Sequence, residues 1–294
     1  MGVTVVSWNI ATRTKPWKEL AAMGADVALL QEARPPPAEI ADRLDIGPEE
    51  SWDSHSWNSN WWHGRGWRAL YERWPMVVRL SDRVDVEWFT QVSPDGWPKK
   101  DEISVSGIGT VTAARVTPKD GSIEPFIVVS MYGRWVGPHP SIQASWEIYA
   151  DASVHRIISD LSAFIGQDDP RTHRILAAGD LNITYGYGHG SGPYWDRRYE
   201  TVFERMESIG LEFMGPQLPN GRQAETLATG EPKGSKNVVT YHLPNRTPAT
   251  ASNNQFDFAF ASRGFHENVN VRALNEVEQW GSSDHCRLLI EIGE

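Results

Sequence analysis

The chain has 294 residues, 40% of them hydrophobic and 22% charged, with 25 Gly, 19 Pro and a formal net charge of −10. These proportions exclude a disordered chain, a collagen-like repeat and a coiled coil, and the length supports a large core without disulfides. The negative charge excludes passive coating of nucleic acid by a basic surface, but not an enzyme that grips phosphate through a cation held by its own carboxylates.

Short apolar runs recur along the whole chain, and no repeat or low-complexity linker separates them, so a single domain over residues 1–294 is expected. Strands are predicted at Val3–Trp8, Val27–Leu30, Gly109–Val116, Phe126–Met131, Ile175–Ala178, Phe256–Ala261 and Arg287–Ile292, each four to eight residues rich in Val, Ile and Phe. Helices are predicted at Trp17–Met23, Pro37–Leu44 and Arg198–Ile209. Another is predicted between Pro140 and Gly166, where Ile142, Trp146, Tyr149, Ile157, Leu161 and Phe164 fall near helical spacing. In the run from Phe256, bulky Phe256, Phe258 and Phe260 alternate with Asp257, Ala259 and Ala261, which predicts one bulky face and one small face carrying a carboxylate. Strands between about residues 66 and 132 follow one another without a helix, which suggests hairpins and a sandwich of mixed sheets rather than a doubly wound parallel sheet.

The lone Cys286 cannot form an internal disulfide. No apolar run reaches about 18 residues, so no membrane insertion is expected. The chain enters its first strand with no basic leader, which fits the cytoplasm. Nothing in the sequence points to a protein partner.

Residues 52–97 hold eight of the 14 tryptophans: Trp52, Trp57, Trp61, Trp62, Trp67, Trp74, Trp88 and Trp97. They read either as packing or as a surface on which bases stack, with His63, Arg65 and Arg68 beside them.

Four apolar runs end in polar residues: Asn9 after Val5–Trp8, Gln31-Glu32 after Val27–Leu30, Tyr132-Gly133-Arg134 after Ile127–Met131, and Gly179-Asp180-Leu181-Asn182 after Ile175–Ala178. Ser283-Asp284-His285 precedes the last strand, and an antiparallel last strand would bring it to the same edge. Strand ends on a shared edge are where distant residues converge. Glu32, Asp180, Asp257 and Asp284, with Asn9 and Asn182, are hard oxygen donors that suit Mg²⁺ or Mn²⁺, and no paired His or Cys is available for zinc. Each residue also has a plainer reading. Strand-end carboxylates are often solvated, the asparagines suit turns, His285 and Tyr132 suit packing, and Arg134 suits a surface pair.

Ser7-Trp8-Asn9, Leu30-Gln31-Glu32, Gly179-Asp180-Leu181-Asn182 and Ser283-Asp284-His285, in that order, resemble the motifs of the endonuclease/exonuclease/phosphatase superfamily, which includes DNase-like nucleases, apurinic-site endonucleases, inositol-polyphosphate phosphatases and sphingomyelinases. The resemblance implies an α/β fold: a four-layered α/β sandwich with two mixed, mainly antiparallel β-sheets flanked by helices. It further implies a Mg²⁺- or Mn²⁺-dependent phosphodiesterase. Residue by residue, it assigns Glu32, with Asn9 and Asp284, to the metal, and Asn9 also to the substrate phosphate; Arg134 has no family counterpart, and its placement alone invites a phosphate contact. Asp180 would activate the water, Asn182 would help to hold it, His285 would meet the phosphate, Asp257 would orient His285, and Tyr132 would lie near the scissile group. Ala11 stands where many apurinic endonucleases carry an acidic residue, which argues against that subfamily. Nucleic acid, DNA or RNA, is the favoured substrate. A small or lipid phosphate ester is the alternative within the same chemistry, and a catalytically silent binding module is the alternative outside it.

Overall fold

The computed structural model describes residues 2–53, 73–139, 141, 149–165, 169–188 and 192–293. Its strands in chain order are β1 (Val3–Asn9), β2 (Val27–Ala33), β3 (Trp74–Arg79), β4 (Val84–Trp88), β5 (Thr90–Val92), β6 (Glu102–Ser104), β7 (Val111–Pro118), β8 (Phe126–Tyr132), β9 (Ile175–Asp180), β10 (Leu211–Gly215), β11 (Asp257–Ser262), β12 (Val269–Leu274) and β13 (Arg287–Ile292). Helices are α1 (Lys15–Ala22), α2 (Ala38–Ala41), α3 (Asp151–Leu161) and α4 (Pro193–Ser208). Five strands form one sheet in the order β12-β13-β1-β2-β3, and six form the other in the order β10-β11-β9-β8-β7-β4. One pair in each sheet is parallel, β1 with β2 and β8 with β9, and all the others are antiparallel. Strands β5 and β6 pair separately.

Side-chain alternation builds the layers. Val3 and Val5 of β1, Val27 and Leu29 of β2, Val128 of β8, Leu176 and Ala178 of β9, and Ala259 and Ala261 of β11 pack between the sheets. The intervening residues face outward: Val6, Trp8, Ala28, Leu30, Met76 and Val78 against Trp17 and Leu20 of α1 and Ile40 of α2. On the other side, Phe258 and Phe260 pack with Val154 and Ile157 of α3 and with Val202 and Phe203 of α4. The result is helix, sheet, sheet, helix. The bulky face of β11 is the helix-facing one, and its alanine face lets the two sheets approach.

The boundaries and connections depart from expectation in places. Helix α4 begins five residues before the predicted Arg198, because Pro193 sits in its first turn, where a missing N–H costs nothing. The predicted helix at Pro37–Leu44 shrinks to the four residues of α2. Strands β7 and β8 do form a hairpin, but β3 and β4 lie in different sheets. The connection between them is anchored by the buried Asp26 carboxylate, which accepts hydrogen bonds from Ser81 Oγ at 2.5 Å and Arg83 Nε at 2.9 Å. Of the tryptophan-rich stretch, Trp52 and Trp74 are buried in the outer cluster, Trp88 is half-buried and Trp97 is exposed. Trp57, Trp61, Trp62 and Trp67, with His63, Arg65 and Arg68, lie outside the described residues, as do Ile142, Trp146 and the helix bounds Pro140 and Gly166. Among the described residues no helix is long and apolar enough to cross a membrane.

A buried acid in α3 gives a stability test. Asp160 accepts the Ser106 N–H at 3.0 Å, yet burial pushes its carboxyl up to about 6, against the lowering effects of the Ser106 hydrogen bonds and the Arg156 charge. The unfolded group titrates near 3.8, so stability is lost as pH rises from 3.8 through about 6. Asp160→Asn keeps an acceptor for Ser106. It is expected to stabilise the fold by ~1–3 kcal/mol at about pH 8, with the gain vanishing at about pH 3.5. Melting curves at the two pH values check this, and an equal effect at both would contradict it.

Candidate active site

The same alternation that builds the inter-sheet core carries polar side chains to one end of it. Following Val3 and Val5, residues Ser7 and Asn9 share the inward face of β1. Tyr132 follows Val128 and Ser130 on β8, Asp180 follows Leu176 and Ala178 on β9, and Asp257 precedes Ala259 and Ala261 on β11. Strand register aligns them, with Tyr132 opposite Asp180 and Asp180 opposite Asp257. Just beneath this row, Gln31 Nε2 donates to Ser130 Oγ at 3.0 Å and ties one sheet to the other. Gly179 permits the close pairing of β8 and β9, since a Cβ there would lie 1.9 Å from the Met131 carbonyl oxygen.

Glu32 reaches the site through a bulge. Leu30 and Ala33 both pack on the outer face of β2, which a regular strand forbids for residues three apart. The extra residue is Glu32, at φ +48°, where the pairing with β3 shifts register. Among the described residues five non-glycine positions have φ between +48° and +65°, and Ala11, Thr12, Glu32 and Asn182 are four of them. Backbone of this kind is uncommon, and its clustering along one rim marks a constrained site.

His285 stands at the centre. Its ring lies against Tyr241, 4.8 Å between centroids, and its Nδ1 is 2.8 Å from Asp257 Oδ2. Its Nε2 faces Asp180 Oδ2 at 3.8 Å, too long for a hydrogen bond. Burial opposes a charge on this imidazole, but Asp257, Asp180 and Asp284 outweigh it and push the pKa up to about 10. Burial likewise pushes the Asp180 carboxyl up to about 7, with His285 opposing and Asp257 adding to the rise. Asp180 is held in place by Asn9 Nδ2 at 2.9 Å and Asn182 Nδ2 at 3.1 Å on Oδ2, and by the Asn182 N–H at 2.8 Å on Oδ1. Thr240 Oγ1 accepts the Asp257 N–H at 3.2 Å and steadies the start of β11.

Glu32 accepts the Tyr132 hydroxyl at 2.9 Å and Asn9 Nδ2 at 3.4 Å on Oε1, and Arg73 Nη1 on Oε2. Burial, together with the Glu32 and Asp180 charges, holds the Tyr132 phenol well above its ordinary pKa, so it stays a donor. Asp284 accepts Ser283 Oγ at 3.1 Å and lies 3.8 Å from Arg13 Nη2. A cleft of about 590 Å³ opens onto Glu32, Asn182, Asp284 and His285, with Arg13 and Arg73 on its wall and Trp135, Tyr241, Leu243 and Phe256 among its remaining lining.

Two groups of donors compete for a cation. Ligand atoms of Asp180, Asp257 and His285 lie within 4.8 Å of one another, but these side chains are almost completely buried, and an ion among them would break the His285–Asp257 hydrogen bond. Glu32 and Asp284 open on the cleft, each carboxylate met by an arginine, and supply hard oxygen donors of the type that take Mg²⁺ or Mn²⁺, whereas Asn9, expected as a third ligand, turns its Nδ2 to Glu32 and Asp180 and accepts the Ala11 N–H at 2.9 Å on its Oδ1. This second set is the better fit.

Asn9, Glu32, Tyr132, Asp180, Asn182, Asp257, Asp284 and His285 thus meet at one rim, as the strand-end pattern requires. Arg134 does not join them: its Nη1 donates to the Ile108 carbonyl at 2.9 Å and its guanidinium lies 5.8 Å from the Tyr132 ring centre. Arg13, Arg73 and Trp135 line the cleft without having been singled out in the sequence. Arg73 follows Trp67-Arg68-Ala69-Leu70-Tyr71-Glu72 with no motif of its own, and only the fold brings it to Glu32.

The whole arrangement coincides with a family match. The model of the endonuclease/exonuclease/phosphatase family aligns with residues 6–285. The chain belongs to this family. No curated protein matches the chain closely enough to add to this. Members of the family act on phosphoesters, and solved structures of similar fold come from the same superfamily. The endonuclease domain of TRAS1, a telomere-specific non-LTR retrotransposon, superposes with a TM-score of 0.58 at 14% identity, covering 100% of this chain and 99% of that one. The AP endonuclease LMAP from Leishmania major gives 0.56 at 15% identity over 100% of this chain and 88% of that one, and an AP endonuclease from Archaeoglobus fulgidus gives 0.52 at 15% over 99% of each. At these identities the likeness shows the family's layered fold.

Proposed function

We propose that the chain is a single-domain, divalent-metal-dependent phosphodiesterase that hydrolyses nucleic acid by in-line attack of water. The observation that carries this reading is a buried Asp180 clamped by Asn9 and Asn182 and facing a His285 pinned by Asp257, with His285 and Asn182 lining one cleft with Glu32 and Asp284. Glu32 and Asp284 would hold Mg²⁺ or Mn²⁺, with Asn9 steadying Glu32 through its Nδ2 hydrogen bond. Bound there, the ion would supply Lewis-acid stabilisation for charge developing on the phosphoryl oxygens.

The chain's own residues do the rest. Asp180, with its pKa near neutrality, takes the proton of the attacking water as the oxygen bonds to phosphorus. Asn9 and Asn182 fix the orientation of that carboxylate. The ester oxygen opposite departs and is protonated by solvent. His285, kept protonated by its acidic neighbours, offers Nε2–H to a non-bridging oxygen, and Asp257 accepts Nδ1–H and fixes the ring's direction. Tyr132 orients Glu32 through its hydroxyl rather than serving as a base. Nucleic acid is favoured because nuclease neighbours share the fold and because the cleft presents guanidinium groups beside the rings of Trp135 and Tyr241.

The test is a substrate panel with Mg²⁺: plasmid, single-stranded DNA, RNA, inositol phosphates and a lipid phosphodiester. Nicking or degradation of polynucleotide, abolished by EDTA, is expected. Phosphate release from small esters with polynucleotides untouched would shift the reading to a small-molecule enzyme, and no turnover together with no metal binding would leave a silent binding module. Separately, Glu32→Gln is expected to weaken Mg²⁺ binding by at least ~10-fold in calorimetry, since a charged oxygen donor is lost. An unchanged titration would remove Glu32 from the metal site.

A further inference from the structure

Arg73 and Glu32 form an ion pair at the point where the cation is expected, with side chains 32% and 14% exposed. The two Glu32 oxygens are used differently. Oε1 receives the neutral donors Tyr132 and Asn9, whereas Oε2 receives the Arg73 guanidinium. Arg73 Nε is buried and has no acceptor among the described residues, where Glu32 is the carboxylate that compensates the arginine. A guanidinium in such a position is a built-in competitor for the cation, because both need the same carboxylate.

The charges on the cleft wall limit where Arg73 can turn once a cation displaces it. Arg13 and Arg73 offset Glu32 and Asp284, and each arginine lies against one of the acids. A divalent cation taking Glu32 would leave the wall with two excess positive charges and Arg73 without its anion. Asp284 faces Arg13 and, on the reading above, is itself taken by the cation, so it is not free for Arg73. The missing anion is then one brought by the ligand, and a phosphate group has the charge and the planar-fork acceptor geometry that a guanidinium takes best.

We propose that Arg73 is a positioning residue that couples cation binding to phosphate binding: the cation displaces its guanidinium from Glu32, and the released guanidinium takes the phosphate. This rests on the metal-dependent reading above. By linkage, phosphate drawing Arg73 from Glu32 tightens the cation by the same factor that the cation tightens phosphate.

The test uses calorimetry on the full chain, with Mg²⁺ alone, inorganic phosphate alone in EDTA, and both together. Arg73→Gln is expected to bind Mg²⁺ about 5- to 20-fold more tightly than the parent, because the competitor is gone, and to bind phosphate more weakly when Mg²⁺ is present. In EDTA, Glu32→Gln is expected to bind phosphate at least ~5-fold more tightly than the parent, because Arg73 is released, and the Glu32→Gln/Arg73→Gln double variant is expected to lose that gain. Loss of a nearby positive charge would by itself also tighten Mg²⁺, so tighter Mg²⁺ binding supports the proposal only together with weaker phosphate binding in Mg²⁺ and a loss of the phosphate gain in the double variant. Unchanged or weaker Mg²⁺ binding by Arg73→Gln overturns the proposal, as does a double variant that keeps the phosphate gain, since the gain would then be simple loss of negative charge. If Arg73→Gln fails to fold, Arg73→Lys, which keeps the charge but not the fork, is expected to tighten Mg²⁺ by a smaller factor, and no change there overturns the proposal equally. A parent protein that takes up no Mg²⁺ sinks the metal-dependent reading itself, whereas Mg²⁺ binding without coupling sinks only the role of Arg73.

Discussion

Asp180→Asn is expected to lower kcat by about 10²- to 10⁴-fold on any substrate the protein turns over, the range associated with losing a positioned base. The amide is nearly isosteric and its carbonyl can still accept from Asn9 and Asn182 where Oδ2 now does. It cannot take a proton from water. Because Asp180 is fully buried among these partners, the fold is the first control, and an unchanged Mg²⁺ affinity is the second, since Asp180 lies behind the Glu32–Asp284 pair and not within it. Activity within ~10-fold of the parent would take Asp180 out of proton transfer.

Asp257→Asn is expected to be nearly as damaging, by about 10²- to 10³-fold near pH 8, and through a different route. Asp257 is the largest of the influences that raise the His285 pKa against burial. With a neutral partner, the buried imidazole falls from about 10 toward or below its ordinary 6.5 and is uncharged at neutral pH. The sign is specific. The parent keeps His285 protonated until about pH 10, whereas the variant loses the proton earlier, so the ratio of parent to variant activity should grow as pH rises and shrink as it falls. A loss that is the same at every pH would mean that Asp257 only supports the fold.

Much of this site was legible because β-strand periodicity is a strong physical rule. The Phe/Ala alternation of Phe256–Ala261 places its bulky face toward α4 and its small face toward the other sheet, so Asp257 had to enter the space between the sheets. Asn9, Tyr132 and Asp180 follow from the same parity at the ends of their strands. A sandwich of mixed sheets was likewise legible from the strand order, and its four layers were what the resemblance of the motifs implied. The features that escaped the pattern are those that break periodicity or depend on tertiary contact. Parity alone puts Glu32 outside with Leu30, and only the bulge at φ +48° turns it to the rim. The strands between about residues 66 and 132 suggested hairpins, but within that range β3 and β4 part to different sheets, with Asp26 holding the turn between them. Arg134 looked like a phosphate contact from its place after β8, yet the Ile108 carbonyl turns its guanidinium aside. Arg13 and Arg73 carry no local signature, since an exposed arginine is common and only a facing carboxylate gives it meaning.

The asymmetry between the buried Asp257–His285–Asp180 row and the open Glu32–Asp284 pair divides the chemistry. The first set is dry, and its pKa values move far from their ordinary range, which on the proposed reading suits it to handling protons. The second faces solvent, where a hydrated cation can enter. Keeping the two apart lets the histidine stay charged while the cleft stays open to ions and to an anionic substrate.

Crystals of the protein soaked in Mn²⁺ and measured for anomalous scattering at the manganese edge ask the question most directly. A single strong peak in the cleft, beside the carboxylates of Glu32 and Asp284, is the expected result. A peak confined among Asp180, Asp257 and His285, or no peak at saturating Mn²⁺, would contradict it.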